Sequence, residues 1–194
     1  MMRMMSVQLI GKVLNENGNF MKNKEIYKIT LSSIFLAMAY VLPFLTGQVP
    51  QIGSMLCPMH LPVILCGLMC GWKYGLIVGL VSPLLRSLTL GMPPLFPTAL
   101  AMAVELAVYG FVSGFLYQTL GKRTHNIYIA LIISMLLGRI CWGIAMFSFL
   151  GFNINKFGLS AFWLGAFVNA LPGIIIQIVL IPLIVIVYNR FIKE

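Results

Sequence analysis

The sequence predicts an all-helical integral membrane protein with six transmembrane helices. Of its 194 residues, 60% are hydrophobic and only 9% are charged, whereas a soluble domain is nearer half apolar and a quarter charged. A span needs about 20 apolar residues, so the length accommodates six spans with short loops and no soluble domain. The net charge of +9 does not indicate nucleic-acid binding, because the basic residues are spread thinly beside apolar runs.

Six apolar segments supply the predicted helices, since lipid does not tolerate backbone groups without hydrogen-bond partners. They run over residues 29–46, 58–70, 74–90, 98–120, 126–150 and 161–188. The second and third are short for a full span. We expect residues 1–21 to be a disordered extension or the product of a misplaced start codon, which leaves residues 22–194 as a single membrane domain.

The basic residues predict the orientation. Ten of them lie on one side of the six segments, and the loops on the other side carry only Lys156. The positive-inside rule then places both termini in the cytoplasm of a plasma-membrane protein. The ten are Arg3, Lys12, Lys22, Lys24, Lys28, Lys73, Lys122, Arg123, Arg190 and Lys193.

Glu105 is the only acidic residue within an apolar segment. A carboxylate in lipid is costly and marks a partner, a cavity or a ligand. Four further polar side chains fall in the same outer half of the predicted bilayer, and two aromatic side chains share helix faces with them, at spacings of three and four residues. This grouping predicts a polar binding cavity that is open to the outside and closed below. Its candidate residues are His60, Arg86, Glu105, Tyr109, Arg139, Trp142 and Asn169.

Structural explanations for the same residues remain open. Glu105 and Arg139 could form a structural ion pair, and His60 could bond a loop carbonyl. Arg86 could reach the headgroups, and Asn169 could bond between helices together with Gln177. We place Asn169 and Gln177 on one stripe of an unbroken sixth helix.

The predicted outer loops, residues 47–57, 91–97 and 151–160, carry no charged residue except Lys156 and are rich in turn-forming residues. Loops of this kind often cover a site. The four cysteines are expected to be inert packing thiols. They are Cys57, Cys66, Cys70 and Cys141.

Small residues recur every four positions in several segments, a spacing that lets membrane helices approach closely. The second and third segments carry Gly67, Gly71, Gly75 and Gly79. In the first segment, Ser33 and Ala37 form a further pair, which would dock another membrane protein if it faces away from the bundle.

Sequence signatures of several enzyme classes are missing. The chain has no G-x-x-x-x-G-K-[ST] phosphate loop, no G-x-S-x-G nucleophile motif and no H-E-x-x-H zinc motif. We therefore expect neither an enzyme nor a metal site, and no cofactor.

Taken together, the chain resembles the substrate-binding S-component of an energy-coupling factor (ECF) vitamin transporter, over about residues 22–193. The segment Pro58-Met59-His60-Leu61-Pro62-Val63 and the glycines that follow it are similar to the subgroup that includes pantothenate carriers. The similar positions after that segment are Gly67, Gly71, Tyr74-Gly75, Gly79 and Gly91-Met92-Pro93.

The resemblance implies that the chain captures a vitamin outside the cell and docks to a transmembrane T-component with two ATPases, which use the ATP. The family's contact with the T-component is an A-x-x-x-A pattern on the first helix. Here Ser33 replaces the first alanine and Ala37 keeps the second.

The substrate stays open between two groups, of which the one that includes pantothenate is slightly favoured. Two buried arginines against one glutamate favour an anionic or zwitterionic ligand such as pantothenate, with Arg86 left for its carboxylate. Pyridoxine or a pyrimidine vitamin precursor would instead use Trp142, Tyr109 and Asn169. The alternative function is a stand-alone secondary transporter or channel for a small solute.

Overall fold

Helices form every regular element in the part of the chain that the computed structural model describes, residues 24–46, 56–121, 123–152 and 158–193. Helix α1 spans residues 24–41 and passes into a 3-10 turn, Leu42–Thr46. The next helices are α2 (His60–Cys70), α3 (Trp72–Leu90), α4 (Leu100–Thr119) and α5 (Thr124–Phe149). A short helix α6 (Leu159–Trp163) and a π-type turn (Leu164–Val168) precede α7 (Leu171–Lys193). The predicted extension, residues 1–21, lies outside the described residues.

Four of these helical stretches are long and apolar enough to cross a membrane: Lys24–Phe44, Leu95–Thr119, Thr124–Phe149 and Leu171–Arg190. They identify a multi-pass membrane protein. Helix α2 has 11 residues, which at 1.5 Å per residue is about 16 Å, half of a hydrocarbon core of about 30 Å. The short second segment is thus a short helix, and the six-span arrangement stays a prediction.

The prediction of one unbroken sixth helix is wrong. The helical path changes to a π-type turn over Leu164–Val168 and to a plain turn at residues 169–170 before α7 begins. Pro172 accounts for the break, because it lacks an N–H to continue the helical ladder and disfavours helical geometry at the residue before it. The break changes which residues share a face, so that Asn169 is exposed while Gln177 is buried.

Helix α4 is central and packs against α2, α3 and α5. Glycines let α2 and α3 approach α4 closely. A side chain at Gly67 or Gly75 would collide with the backbone of Gly110, and a side chain at Gly79 would collide with the backbone of Leu106. Residues later in α3 contact residues earlier in α4, so these two helices are antiparallel. This packing fixes the height of α4 relative to α2.

Polar contacts tie the helices together at the end where α4 finishes and α5 starts. Asn126 donates its side-chain N–H groups to the carbonyls of Leu120 (2.7 Å) and Gly121 (2.8 Å), which satisfies the end of α4. Asn189 of α7 donates to the hydroxyl of the buried Tyr117 on α4 at 2.8 Å. This end of the bundle is the one predicted to face the cytoplasm.

The exposed surfaces of α5 and α7 are lined with large aliphatic side chains. Examples are Ile132, Leu136 and Ile144 on α5, and Ile175 and Val179 on α7. A soluble protein rarely exposes contiguous apolar patches of this kind, so these surfaces face lipid.

The glycine packing gives a first prediction. Gly110→Leu forces α3 away from α4, and overpacking of a tight core costs about 1–3 kcal/mol or more. We expect a clearly lower thermal midpoint of the detergent-purified protein, measured by differential scanning fluorimetry. Val104→Leu, on the exposed face of the same helix, is the matched control and should leave the midpoint unchanged. Equal midpoints for the two variants would contradict the close helix contact.

Candidate functional site

Three side chains from three helices approach one oxygen of Glu105, whose own side chain is only 2% exposed. Arg139 Nη1 of α5 lies 3.0 Å from Glu105 Oε1, and the hydroxyl of Tyr109, one turn further along α4, donates to the same oxygen at 3.0 Å. His60 Nε2 of α2 lies 3.5 Å away, which is too long for a good hydrogen bond. The second oxygen, Oε2, receives none of these three contacts.

Local sequence explains how the partners reach Glu105. His60 begins α2, where its backbone N–H closes a turn onto the carbonyl of Cys57 at 3.1 Å. The imidazole packs against the Tyr109 ring with 5.2 Å between centroids. Gly138, just before Arg139, leaves room for the Tyr109 ring, because a side chain there would collide with it. The cluster therefore depends on a glycine beside the arginine.

The structure adds two residues that sequence reasoning did not place in the site, Cys57 and Gln177. Arg139 Nη2 donates to Cys57 Sγ at 3.5 Å, and Gln177 Nε2 of α7 donates to the Cys57 carbonyl at 3.4 Å. Burial raises the pKa of the Cys57 thiol, although Arg139 opposes the rise, so the sulfur meets the guanidinium as a neutral thiol. The sequence signal for Gln177 was its predicted place on one helix face with Asn169. The break before α7 places these two side chains on different faces.

Cys57 also has a constrained backbone, with φ at 47°. A residue with a Cβ pays for this left-handed conformation and keeps it only where its surroundings impose it. Cys57 is in contact with Arg139 through its sulfur and with Gln177 through its carbonyl. The remainder of the first predicted outer loop, residues 47–55, lies outside the described residues, as do residues 153–157 of the third.

Several buried polar atoms of this cluster have no hydrogen-bond partner within the described chain. They are both ring nitrogens of His60, Nε of Arg139 and Oε1 of Gln177. Their side chains come from α2, α5 and α7, and each residue is less than one-tenth exposed. Buried polar groups are usually paired, so four such atoms in one cluster indicate a place for a polar guest.

Arg86 does not join the cluster. Its Nη1 donates to the carbonyl of Tyr40 at 2.9 Å, near the end of α1, and its guanidinium lies over the Phe44 ring at 5.0 Å from the centroid. The hydroxyls of Tyr40 and Thr89 are 3.1 Å apart. Arg86 thus joins α3 to the end of α1.

The two remaining candidates lie toward α6 and the turn after it. Trp142 stacks on Phe162 with 6.4 Å between ring centroids and 28° between planes, so it forms an aromatic wall between α5 and α6. Asn169 is exposed in the turn before α7, where its backbone N–H bonds the carbonyl of Leu164 at 2.9 Å. The structure therefore brings together His60, Glu105, Tyr109 and Arg139, and places Asn169 outside that buried group.

The second prediction tests the ion pair. Removing one partner of a buried pair costs about 3–5 kcal/mol because the other charge is left unpaired. We expect Glu105→Gln and Arg139→Gln each to lower the thermal midpoint, and the double variant to lose less than the sum of the single losses. Glu25→Gln, an exposed site on α1, is the matched control. Additive losses would mean that the two side chains do not interact.

Comparison with known proteins gives one match. The family model described as "ECF transporter, substrate-specific component" matches residues 27–185, most of the chain. No curated protein and no solved structure matches it. The matched range contains the Glu105 cluster, Arg86 and the exposed face of α1 that carries Ser33 and Ala37.

Proposed function

The chain belongs to the ECF transporter substrate-specific component family, and on this premise we propose that it captures a small water-soluble vitamin or vitamin precursor from outside the cell. Delivery into the cell follows through an ATP-driven complex with the ECF T-component and two ATPases. Members of this family bind substrate for a transporter and are not enzymes. ATP is used by the partner subunits, and the chain itself needs no cofactor.

The buried Glu105 cluster is the observation that carries this proposal. In lipid, ionisable side chains are rare and functional by default, and here they lie with buried polar atoms of α2, α5 and α7 that have no partner among the described residues. The opposite end of the bundle is held by contacts such as Tyr117 with Asn189. Buried polar groups at one end of the bundle, with helix contacts that close the other end, fit a protein that binds its substrate and releases it to a partner. They fit an open channel less well, because a channel needs polar positions along its whole length.

The distribution of basic residues supports an orientation with both termini in the cytoplasm of a plasma-membrane protein. In that orientation, His60 and the start of α4 lie toward the outside. Substrate would therefore enter from the side on which His60 and the start of α4 lie.

The pantothenate subgroup stays a prediction. It depended on Arg86 being available for a carboxylate, and Arg86 instead contacts the Tyr40 carbonyl and the Phe44 ring. A carboxylate would need another partner or a movement of Arg86.

Reconstitution tests the proposed function. The purified chain is placed in liposomes with and without an ECF module, and uptake of labelled vitamins is measured. We expect uptake only with the module and external substrate, and only with ATP on the cytoplasmic side. Uptake by the chain alone would instead establish a secondary transporter or channel.

The third prediction concerns docking. Ser33 and Ala37 are exposed on α1, and Ser33 turns its hydroxyl back to the Ile29 carbonyl at 2.9 Å, which leaves a small, apolar contact face. Ala37→Leu adds bulk there, so we expect it to block co-purification with the T-component while vitamin binding is kept. Val179→Leu, on the exposed face of α7, is the control. Normal assembly of Ala37→Leu would move the docking surface elsewhere.

A further inference from the structure

The charges of the Glu105 cluster cancel. The carboxylate of Glu105 and the guanidinium of Arg139 are 3.0 Å apart, and the pair contributes no net charge. His60 would add a positive charge only if it were protonated. Arg86, the other buried arginine, is engaged with Tyr40 and Phe44. Among the residues that the structure describes, the site therefore offers no further arginine or lysine to an anionic substrate.

The buried atoms of this cluster without a partner among the described residues include both donors and acceptors. Gln177 Oε1 is an acceptor, Arg139 Nε–H is a donor, and the two ring nitrogens of His60 are also unpartnered there. Arg139 directs Nη1 at Glu105 and Nη2 at Cys57. A guest that satisfies Gln177 Oε1 and Arg139 Nε–H brings at least one donor and one acceptor.

We propose that the site takes an uncharged small molecule, which donates a hydrogen bond to Gln177 Oε1 and accepts one from Arg139 Nε–H. This inference rests on the proposed function and narrows its substrate class. Hydroxyl-bearing or amino-bearing forms of a vitamin are favoured over the corresponding carboxylic acids.

An anionic substrate fits the site poorly for a geometric reason. To reach Arg139, a carboxylate would have to lie beside the carboxylate of Glu105, and like charges at such distances repel strongly in a dry site. It would also bring acceptors only, while Gln177 Oε1 needs a donor. A cationic substrate meets the opposite difficulty, because Arg139 already neutralises Glu105.

Matched ligand pairs that differ by a single carboxylate test this inference. Pantothenate is compared with pantothenol, pyridoxine with 4-pyridoxate, and a hydroxymethyl-aminopyrimidine with its carboxylate analogue. Binding to the full chain in nanodiscs is measured by isothermal titration calorimetry. We expect the uncharged member of the pair whose skeleton binds to have an affinity at least tenfold higher, about 1.4 kcal/mol.

The outcomes separate the inference from the function. Tighter binding of the acid in the pair that binds would overturn the inference and leave vitamin capture standing. An absence of binding across all pairs and the other water-soluble vitamins, together with no uptake through an ECF module, would remove the proposed function and the inference with it. Binding of only a carboxylate-bearing vitamin from that wider set also overturns the inference.

Variants give a second, independent readout. Glu105→Gln leaves the positive charge of Arg139 unbalanced, so we expect it to bind the uncharged member at least tenfold more weakly and to shift the preference toward the acid. If this variant does not fold, Gln177→Met removes an acceptor and keeps the side-chain length, and should weaken the uncharged member at least fivefold. Gln118→Met, an exposed site at the other end of α4, is the matched control. Unchanged affinity and preference in folded Gln177→Met and Glu105→Gln would contradict the proposed contacts.

Discussion

The structure depends on the ion pair between Glu105 of α4 and Arg139 of α5. Each charge taken from water into the apolar interior loses several kcal/mol of solvation. The attraction between unit charges about 4 Å apart is of order 4 kcal/mol at an effective dielectric constant of 20, so the pair alone does not offset that loss. The hydroxyl of Tyr109 supplies a further donor, and His60 lies beside it. The ion pair therefore costs folding free energy, and such a pair is expected to be retained where the function of the protein requires it.

Such a pair requires that two helices meet at a fixed height and rotation. In lipid, helix association is driven by close packing and polar contacts, because apolar side chains gain little by leaving apolar solvent. The close contact of Gly75 with Gly110 packs α3 on α4. Gly138 has no side chain, which leaves space for the Tyr109 ring between α4 and α5. The small residues of the scaffold therefore determine the geometry of the charged cluster, although none of them is polar.

Sequence reasoning found the parts of the site that follow from regular helical geometry. Glu105 and Tyr109 share a face because they are four residues apart, and the cost of a charge in lipid predicted a partner such as Arg139. It placed Asn169 with Gln177 because it assumed an unbroken helix, and the break before Pro172 separates them. It could not assign Arg86 or Cys57, because Arg86 donates to the Tyr40 carbonyl and Gln177 donates to the Cys57 carbonyl, and no side-chain pattern encodes contacts with the backbone.

Arg86 has a role in how α1 is held. The middle of this helix contributes a few buried side chains, such as Phe35 and Ala39, to the bundle, while most of its surface faces outward. A helix with so little buried surface could rotate in lipid at low cost. Polar contacts near its two ends oppose rotation: Arg86 and Thr89 of α3 hold Tyr40, and Tyr188 of α7 lies 3.1 Å from Tyr27 by their hydroxyls. These ties keep Ser33 and Ala37 turned away from the bundle. They also connect α1, the helix that we propose docks the T-component, to α3. The glycines of α3 in turn pack on α4, which carries Glu105.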